Sequence, residues 1–282
     1  MHTCLGQHCE AGMKPVGRIR IGIGGWTYEP WRETFYPADL PKKSELHYAS
    51  RAVTAIEING TFYRLQTPSV FAKWRDDTPD DFVFTVKAPR YIVSRKNLAE
   101  NAESIQKFLT SGLDQLSRKL GAIMWQLAPT KKFDAAEIEA FFDLMPATLG
   151  KHPLRHAIEV RHTSFVCEAF VELARKHEVA IVYTHSGEYP GVANITANFV
   201  YARLRQSVAN EPTGYPKSQL KEWKERAELW SQGHDPADLP RIQSAACAET
   251  ARDVFIFFIN GAKERAPAAA QHLISILPGG AS

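Results

Sequence analysis

The chain has 282 residues, 44% of them hydrophobic and 23% charged, with a formal net charge of +3. This is ordinary globular composition; no apolar run approaches the ~20 residues that span a bilayer, so no membrane partner is expected. Four cysteines, Cys4, Cys9, Cys167 and Cys247, are too few for a disulfide framework at this length, which points to a cytoplasmic protein with reduced thiols.

Residues 1–17 lack the apolar stretch of a secretory signal and read as a loose N-terminal tail. His2, Cys4, His8 and Cys9 fall close together there, but their spacing is unusual for a metal site. Beyond the tail, short apolar, β-branched or aromatic runs recur at 19–24, 53–59, 82–87, 122–127, 156–161, 179–185, 199–205 and 254–260. Helix-like stretches lie between them at 42–51, 69–76, 99–116, 135–144, 165–177 and 218–231, and another follows at 266–276. The connection at 186–198 is too short to show a helix, and 233–251 reads as an irregular insertion before the last strand. Strands alternating with helices imply βαβ units and a parallel sheet. Eight such units imply one α/β domain over 18–277, a single (β/α)₈ TIM-type barrel, followed by a C-terminal tail at 278–282.

Side chains alternate faces along a strand. In the second run Ala55, Glu57 and Asn59 oppose Thr54, Ile56 and Ile58; in the third Val83, Thr85 and Lys87 oppose Phe82, Phe84 and Val86. In the fifth, Glu159 and Arg161 share a face, and in the seventh Tyr201, Arg203 and Arg205 do. One face is apolar, as a helix-packed outer face requires, and the other turns polar toward the strand's C-terminal end. The remaining runs are phased alike: Met124 leads to Gln126, Ile181 and Tyr183 to His185, and Ile256 and Phe258 to Asn260. A barrel carries its active site at that end.

The inward set, Glu57, Asn59, Lys87, Gln126, Glu159, Arg161, His185, Arg203, Arg205 and Asn260, holds four cations against two carboxylates. Burying surplus cations is costly unless a counter-charge is supplied, and Arg captures carboxylate or phosphate in bidentate fashion. The expected ligand is therefore an anion, a phosphate-bearing small molecule or a nucleic acid. The plainer alternative is internal ion pairing, Glu57 with Lys87 and Glu159 with Arg161 or Arg203. The loops at the same mouth are aromatic and basic: Trp26, Tyr28 and Trp31; Phe62, Tyr63 and Arg64; Arg90 and Tyr91. Such a mixture suits stacking on bases or sugars, and equally suits packing of the loops onto the barrel.

Glu57 and Glu159 are the candidate acid and base, and Lys87 a candidate Schiff-base nucleophile if its pKa is depressed. The surrounding cations would lower, not raise, an acid's pKa, which counts against a glycosidase. Ligand contacts are expected from Trp26, Tyr28, Asn59, Tyr63, Arg90, Gln126, Arg161, His162, His185, Tyr201, Arg203 and Asn260. No cofactor is expected; the donors Glu57, Glu159, His185 and His162 leave room for a single divalent metal at most.

Several strings resemble a known family. Gly24-Gly25-Trp26-Thr27-Tyr28 with Trp31 and Phe35-Tyr36-Pro37, Glu57-Ile58-Asn59 with Thr61-Phe62-Tyr63-Arg64, and Lys87-Ala88-Pro89-Arg90 are similar to motifs of the YecE-like family (domain of unknown function 72). So are Gln126-Leu127-Ala128-Pro129, Glu159-Val160-Arg161-His162 with Phe165, and Tyr201-Ala202-Arg203-Leu204. The resemblance implies a TIM barrel and supplies no reaction. The chain departs from that pattern at Arg205-Gln206, where many members carry His-Gly, and at Ile259, where many carry the first of two Asn. Three functions follow as expectations: processing of a phosphate-bearing ligand, in one form by metal-assisted hydrolysis; non-catalytic binding of nucleic acid or a nucleotide; and service as an assembly partner.

Overall fold

The computed structural model describes residues 16–242 and 250–278. Most of the anticipated N-terminal tail, residues 243–249 of the insertion and residues 279–282 lie outside the described residues.

The barrel strands are β1 Ile19–Gly24, β2 Ala55–Ile58, β3 Val83–Lys87, β4 Leu120–Gln126, β5 His156–Glu159, β7 Phe199–Leu204 and β8 Asp253–Phe258. Strand β6 comes in two pieces, Ala180–Ile181 and Tyr183–His185. The hydrogen-bonded order is β5-β4-β3-β2-β1-β8-β7, with the first piece of β6 on β5 and the second on β7. The ring thus closes through β6, and between the two pieces Val182 N donates to Ile158 O at 2.9 Å. Every barrel pairing is parallel, so the TIM-type barrel read from the sequence is the fold.

Helices cover the outside because their apolar residues share one face. In Glu168–Lys176, Phe170, Val171 and Ala174 are buried while Glu168, Glu172 and Lys176 stay exposed. This buried face packs on β6 and on the helix Ala135–Asp143, and each large apolar side chain so covered contributes roughly 1.5–3 kcal/mol. The helix stops as Glu178 turns left-handed, φ 52°. The stretch 99–116, expected as one helix, is instead Leu98–Glu100, Ala102–Leu109 and Leu113–Lys119, joined by turns. Short helices in the loops after the first three strands, Trp31–Thr34, Gly60–Tyr63 and Arg90–Val93, escape the sequence pattern because four residues are too few to show a period. No helix appears in 186–198, and the described part of the insertion is tied down by Ala193 N donating to Pro240 O at 2.9 Å.

Inside the ring, Ala55, Met124, Val182, Phe199, Phe255 and Phe257 fill the lower barrel. Gly22 makes room for them: a Cβ there would sit 2.1 Å from Ala55 O and 2.9 Å from Phe257 Cε1. This interior corrects two strands. Ile181, Tyr183 and His185 face outward, the tyrosine and histidine rings lying against Trp223 of the helix Lys217–Ser231, while Ala180 and Val182 face in. In β8 it is Phe255, Phe257 and then Ile259 that point inward, with Val254, Ile256 and Phe258 outside. Neither strand marks one face as polar, β8 being apolar on both and both phases of β6 ending on a polar residue, so alternation alone cannot set their phase. The other strands are phased as the sequence predicts.

Candidate functional site

Toward the C-terminal end the interior turns polar, centred on Arg203. Its Nη2 donates to Glu57 Oε1 at 3.0 Å, and its Nη1 donates to Glu159 Oε2 and, at 3.2 Å, to Gln126 Oε1. Arg161 Nε donates to Glu159 Oε1 at 2.6 Å, and Tyr201 Oη to Glu57 Oε2 at 2.8 Å, with Thr85 Oγ1 2.8 Å from the same hydroxyl. Glu57, Glu159 and Thr85 are wholly buried. Five strands thereby meet in one network, β2, β3, β4, β5 and β7. Two buried carboxylates would be prohibitive alone; a guanidinium between them, with a second on one side, offsets the desolvation.

Above this floor opens a cavity of about 660 Å³. Its lining includes the cations Arg64, Lys87, Arg161, Arg203, Arg205 and Lys263, and among the described residues that line it none is a carboxylate. Apolar walls come from Trp26, Trp74, Phe62 and Ile259. Trp26 is held edge-on by Trp74, ring centroids 5.1 Å apart, and by Tyr36 Oη donating to Trp26 O at 2.5 Å. Lys263 is set by the turn after β8, where Gly261 takes φ +87° and a Cβ would meet Ser207 O at 2.3 Å. Its Nζ sits 4.5 Å over the ring of Tyr28, and Trp31 Nε1 donates to its carbonyl at 2.9 Å. Arg161 and Arg205 lie at 4.5 and 5.1 Å over one aromatic ring, Tyr189.

Lys87 is the odd member. It is 8% exposed, its Nζ lies 4.0 Å from the centre of the Phe62 ring, and Thr61 Oγ1 donates to its carbonyl at 2.7 Å. Burial first, then Arg203, lowers its ammonium pKa to about 8, against the opposing pull of Glu57 and Glu159. For Glu159, burial alone would raise the carboxyl; Arg203 and Arg161 outweigh it and hold it down at about 2. Burial and the Glu57 charge push the Tyr201 phenol far above its ordinary value.

The sequence-predicted site residues divide accordingly. Trp26, Asn59, Tyr63, Lys87, Gln126, Arg161, Arg203 and Asn260 line the cavity together. Asn260 does so from the loop after β8, not as an inward strand residue. Glu57 and Glu159, the acid and base expected from the sequence, form the floor itself and are 0% exposed, both paired with Arg203. Tyr201 is 0% exposed, braces Glu57 and is not among the residues lining the cavity. His185 is turned away onto Trp223 and Tyr215. His162 caps the turn Thr163–Phe165, its Nδ1 accepting from Ser164 N at 3.1 Å. Arg90 is exposed outside the cavity, and Tyr28 acts beneath Lys263. Trp74, Gln66 and Phe62 are lining residues that strand phasing could not find, because they come from helices and loops. The two departures from the family pattern, Arg205 and Ile259, both line the cavity. Among the described residues no group of three or more His, Cys, Asp and Glu side chains is arranged to hold a metal ion, and no helix is long and apolar enough to cross a membrane.

An α/β barrel of parallel strands wrapped by helices, with a cationic cavity over a Glu–Arg–Glu floor at its C-terminal end, is a TIM-type barrel. The chain belongs to the DUF72 family of proteins of unknown function, whose model matches residues 20–281. It is similar to the UPF0759 protein YecE of Escherichia coli strain K12, 31% identical over 147 residues, 52% of this chain and 50% of that protein. The chain thus matches half the length of that relative. It is also 24% identical to the UPF0759 protein YunF of Bacillus subtilis over 262 residues, 86% of this chain and 88% of the other. Among solved structures, a DUF72 family protein of Thermotoga maritima matches with TM-score 0.68 and 21% identity, over 91% of this chain and 97% of that one. One from Enterococcus faecalis matches with TM-score 0.62 and 18% identity, over 91% and 96%. These neighbours bear on the fold alone.

Proposed function

We propose that the mouth of the barrel binds an anionic, phosphate-bearing ligand. The observation that carries this is a cavity lined by six cations with no carboxylate among its described lining residues. The carboxylates that act on Lys87, Glu57 and Glu159, are spent on Arg203, Arg161 and Tyr201. Among the described residues Lys87, Arg205 and Lys263 thus have no ion-pair partner at the cavity wall, and an incoming phosphate supplies the counter-charge. The aromatic walls add a face for a sugar or base beside the phosphate. Glu57, Glu159 and Tyr201 serve this site by fixing Arg203. Metal-assisted hydrolysis has no assembled donor set among the described residues to support it.

A second reading, a single strand of nucleic acid with one phosphate in the cavity, draws on the rim. Tyr63 is 78% exposed beside Arg64, and Tyr91 is 44% exposed beside Arg90. One thermal-shift panel compares inorganic phosphate, sugar phosphates, nucleotides and short oligonucleotides on the full chain, since a ligand that binds the folded state raises its melting temperature. Stabilisation by a phosphorylated small molecule supports the first reading. Stabilisation by oligonucleotides alone, growing with their length, supports the second. A cooperative melt unmoved by any anion contradicts both.

A further inference from the structure

Lysine side chains in this protein are buried in two different ways. Lys119, 4% exposed, donates from Nζ to Arg75 O at 2.6 Å, Thr78 O at 2.7 Å and Thr78 Oγ1 at 3.1 Å. Three donors are matched by three acceptors, so that group is built to be an ammonium. Lys87 is nearly as buried, yet among the described residues it has no ion-pair partner and its Nζ faces a phenyl ring and the cavity. The carboxylates below it are already taken by Arg203, Arg161 and Tyr201. A lysine kept from water beside a fixed guanidinium, with nothing to hold its proton, is the setting in which an amine becomes a nucleophile.

We infer that Lys87 forms a covalent imine with the carbonyl carbon of an anionic substrate, a phosphorylated aldehyde or ketone. This rests on the anion site proposed above, which delivers the substrate and holds its phosphate against Arg205 and Lys263. The neutral amine attacks the carbonyl carbon; the C–N bond forms as the carbonyl π pair moves to oxygen, and nitrogen passes one proton to that oxygen. The carbinolamine hydroxyl then takes one proton from solvent and leaves as water as the nitrogen lone pair forms the C=N bond, giving a protonated imine. The balance is one amine, one carbonyl and one proton giving one iminium and one water, with no change of oxidation state. The iminium keeps the positive charge that Lys87 contributes to the cavity. The depressed amine pKa, about 8, agrees with this geometry; at neutral pH it leaves on the order of a hundredfold more free amine than an ordinary lysine has.

The full chain is incubated with glycolaldehyde phosphate, treated with borohydride to convert any imine to a stable secondary amine, digested and mapped by mass. Unphosphorylated glycolaldehyde, excess inorganic phosphate and the variant Lys87→Arg run in parallel, with phosphate binding to the wild type measured separately by calorimetry. The expected result is an adduct at Lys87 forming about tenfold faster than at other lysines, slower with glycolaldehyde, suppressed by phosphate, and absent at that position in a Lys87→Arg protein that melts normally. If phosphate binds but labelling is spread over surface lysines or falls on Lys263, the imine proposal is wrong and the anion site stands. If Lys87 is labelled selectively, but equally by both aldehydes and without phosphate binding, the anionic substrate class is wrong and so is the anion site. No phosphate binding and no selectivity overturns both.

Discussion

Arg203 and Glu57 meet across the barrel, Nη2 to Oε1 at 3.0 Å, from β7 and β2, which are not hydrogen-bonded neighbours. The same guanidinium holds Glu159 of β5, so one side chain locks three strands at the level where the apolar interior ends and the cavity begins. The electrostatics of the mouth start there: neutralising both carboxylates below leaves the cations above them uncompensated.

Removing the lock exposes its cost. Arg203→Met leaves buried Glu57 without its cation and Glu159 with Arg161 alone, and is expected to destabilise the protein by about 3–5 kcal/mol at neutral pH. The pH dependence also weakens. In the wild type Glu159 is held at about 2, below its ordinary 4.5, so its contribution is full above 4.5 and is lost as pH falls toward 2. In the variant Arg161 alone opposes the effect of burial on Glu159, so its carboxyl moves up toward the ordinary value and less stability is lost over that window. Urea unfolding at neutral and at acid pH checks both the loss and the smaller pH dependence.

Tyr201→Phe removes the hydroxyl that donates to Glu57 and contacts Thr85. A buried acceptor left short of a donor costs about 1–3 kcal/mol. Since Tyr201 is buried and does not line the cavity, phosphate affinity should stay within about twofold of wild type. A large loss of affinity in a folded variant would show that the hydroxyl does more than brace the floor.

Arg205 is half-buried over Tyr189 and lines the cavity. Arg205→Gln is expected to weaken phosphate binding about tenfold or more, the worth of one charge-assisted hydrogen bond, and to leave unfolding free energy within about 0.5 kcal/mol. Calorimetry and urea melts on the same preparation separate the two effects.

Lys87 faces Arg203 and Arg161 as like charges and Glu57 and Glu159 as opposite ones. Because its folded pKa lies near 8, below its ordinary 10.5, the unfolded chain binds more protons between those values. Wild-type stability should therefore rise with pH from about 8 toward 10.5. Lys87→Met relieves the burden and is expected to raise stability at neutral pH by on the order of 2 kcal/mol, a gain that shrinks across the same window. A flat difference between variant and wild type across that range would contradict it.

Where one face of a strand was polar and the other apolar, the sequence alone revealed which way it pointed. Glu57, Lys87, Gln126, Glu159 and Arg203 could all be assigned inward by a period of two. The run Val254-Phe255-Ile256-Phe257-Phe258-Ile259 has no polar mark, and in Ile181-Val182-Tyr183-Thr184-His185 both phases end on a polar residue. There the outcome was decided by bulk: Phe255 and Phe257 fill the space left by Gly22 and Ala55, and Tyr183 and His185 meet the tryptophans of a helix. The excess of cations was legible as a count of formal charges. The pairing of Glu159 with Arg161 or Arg203 was among the readings the sequence offered; that Glu57 takes Arg203 and not Lys87, and that the remaining cations share one cavity, depends on side-chain directions that strand periodicity does not carry.

The most direct test is a calorimetric titration of the full chain with inorganic phosphate at low ionic strength, beside Arg205→Gln. An anion site at the barrel mouth predicts a saturable heat in the wild type, with binding at least about tenfold weaker in the folded variant. No heat in the wild type, or identical titrations of the two proteins, would contradict it.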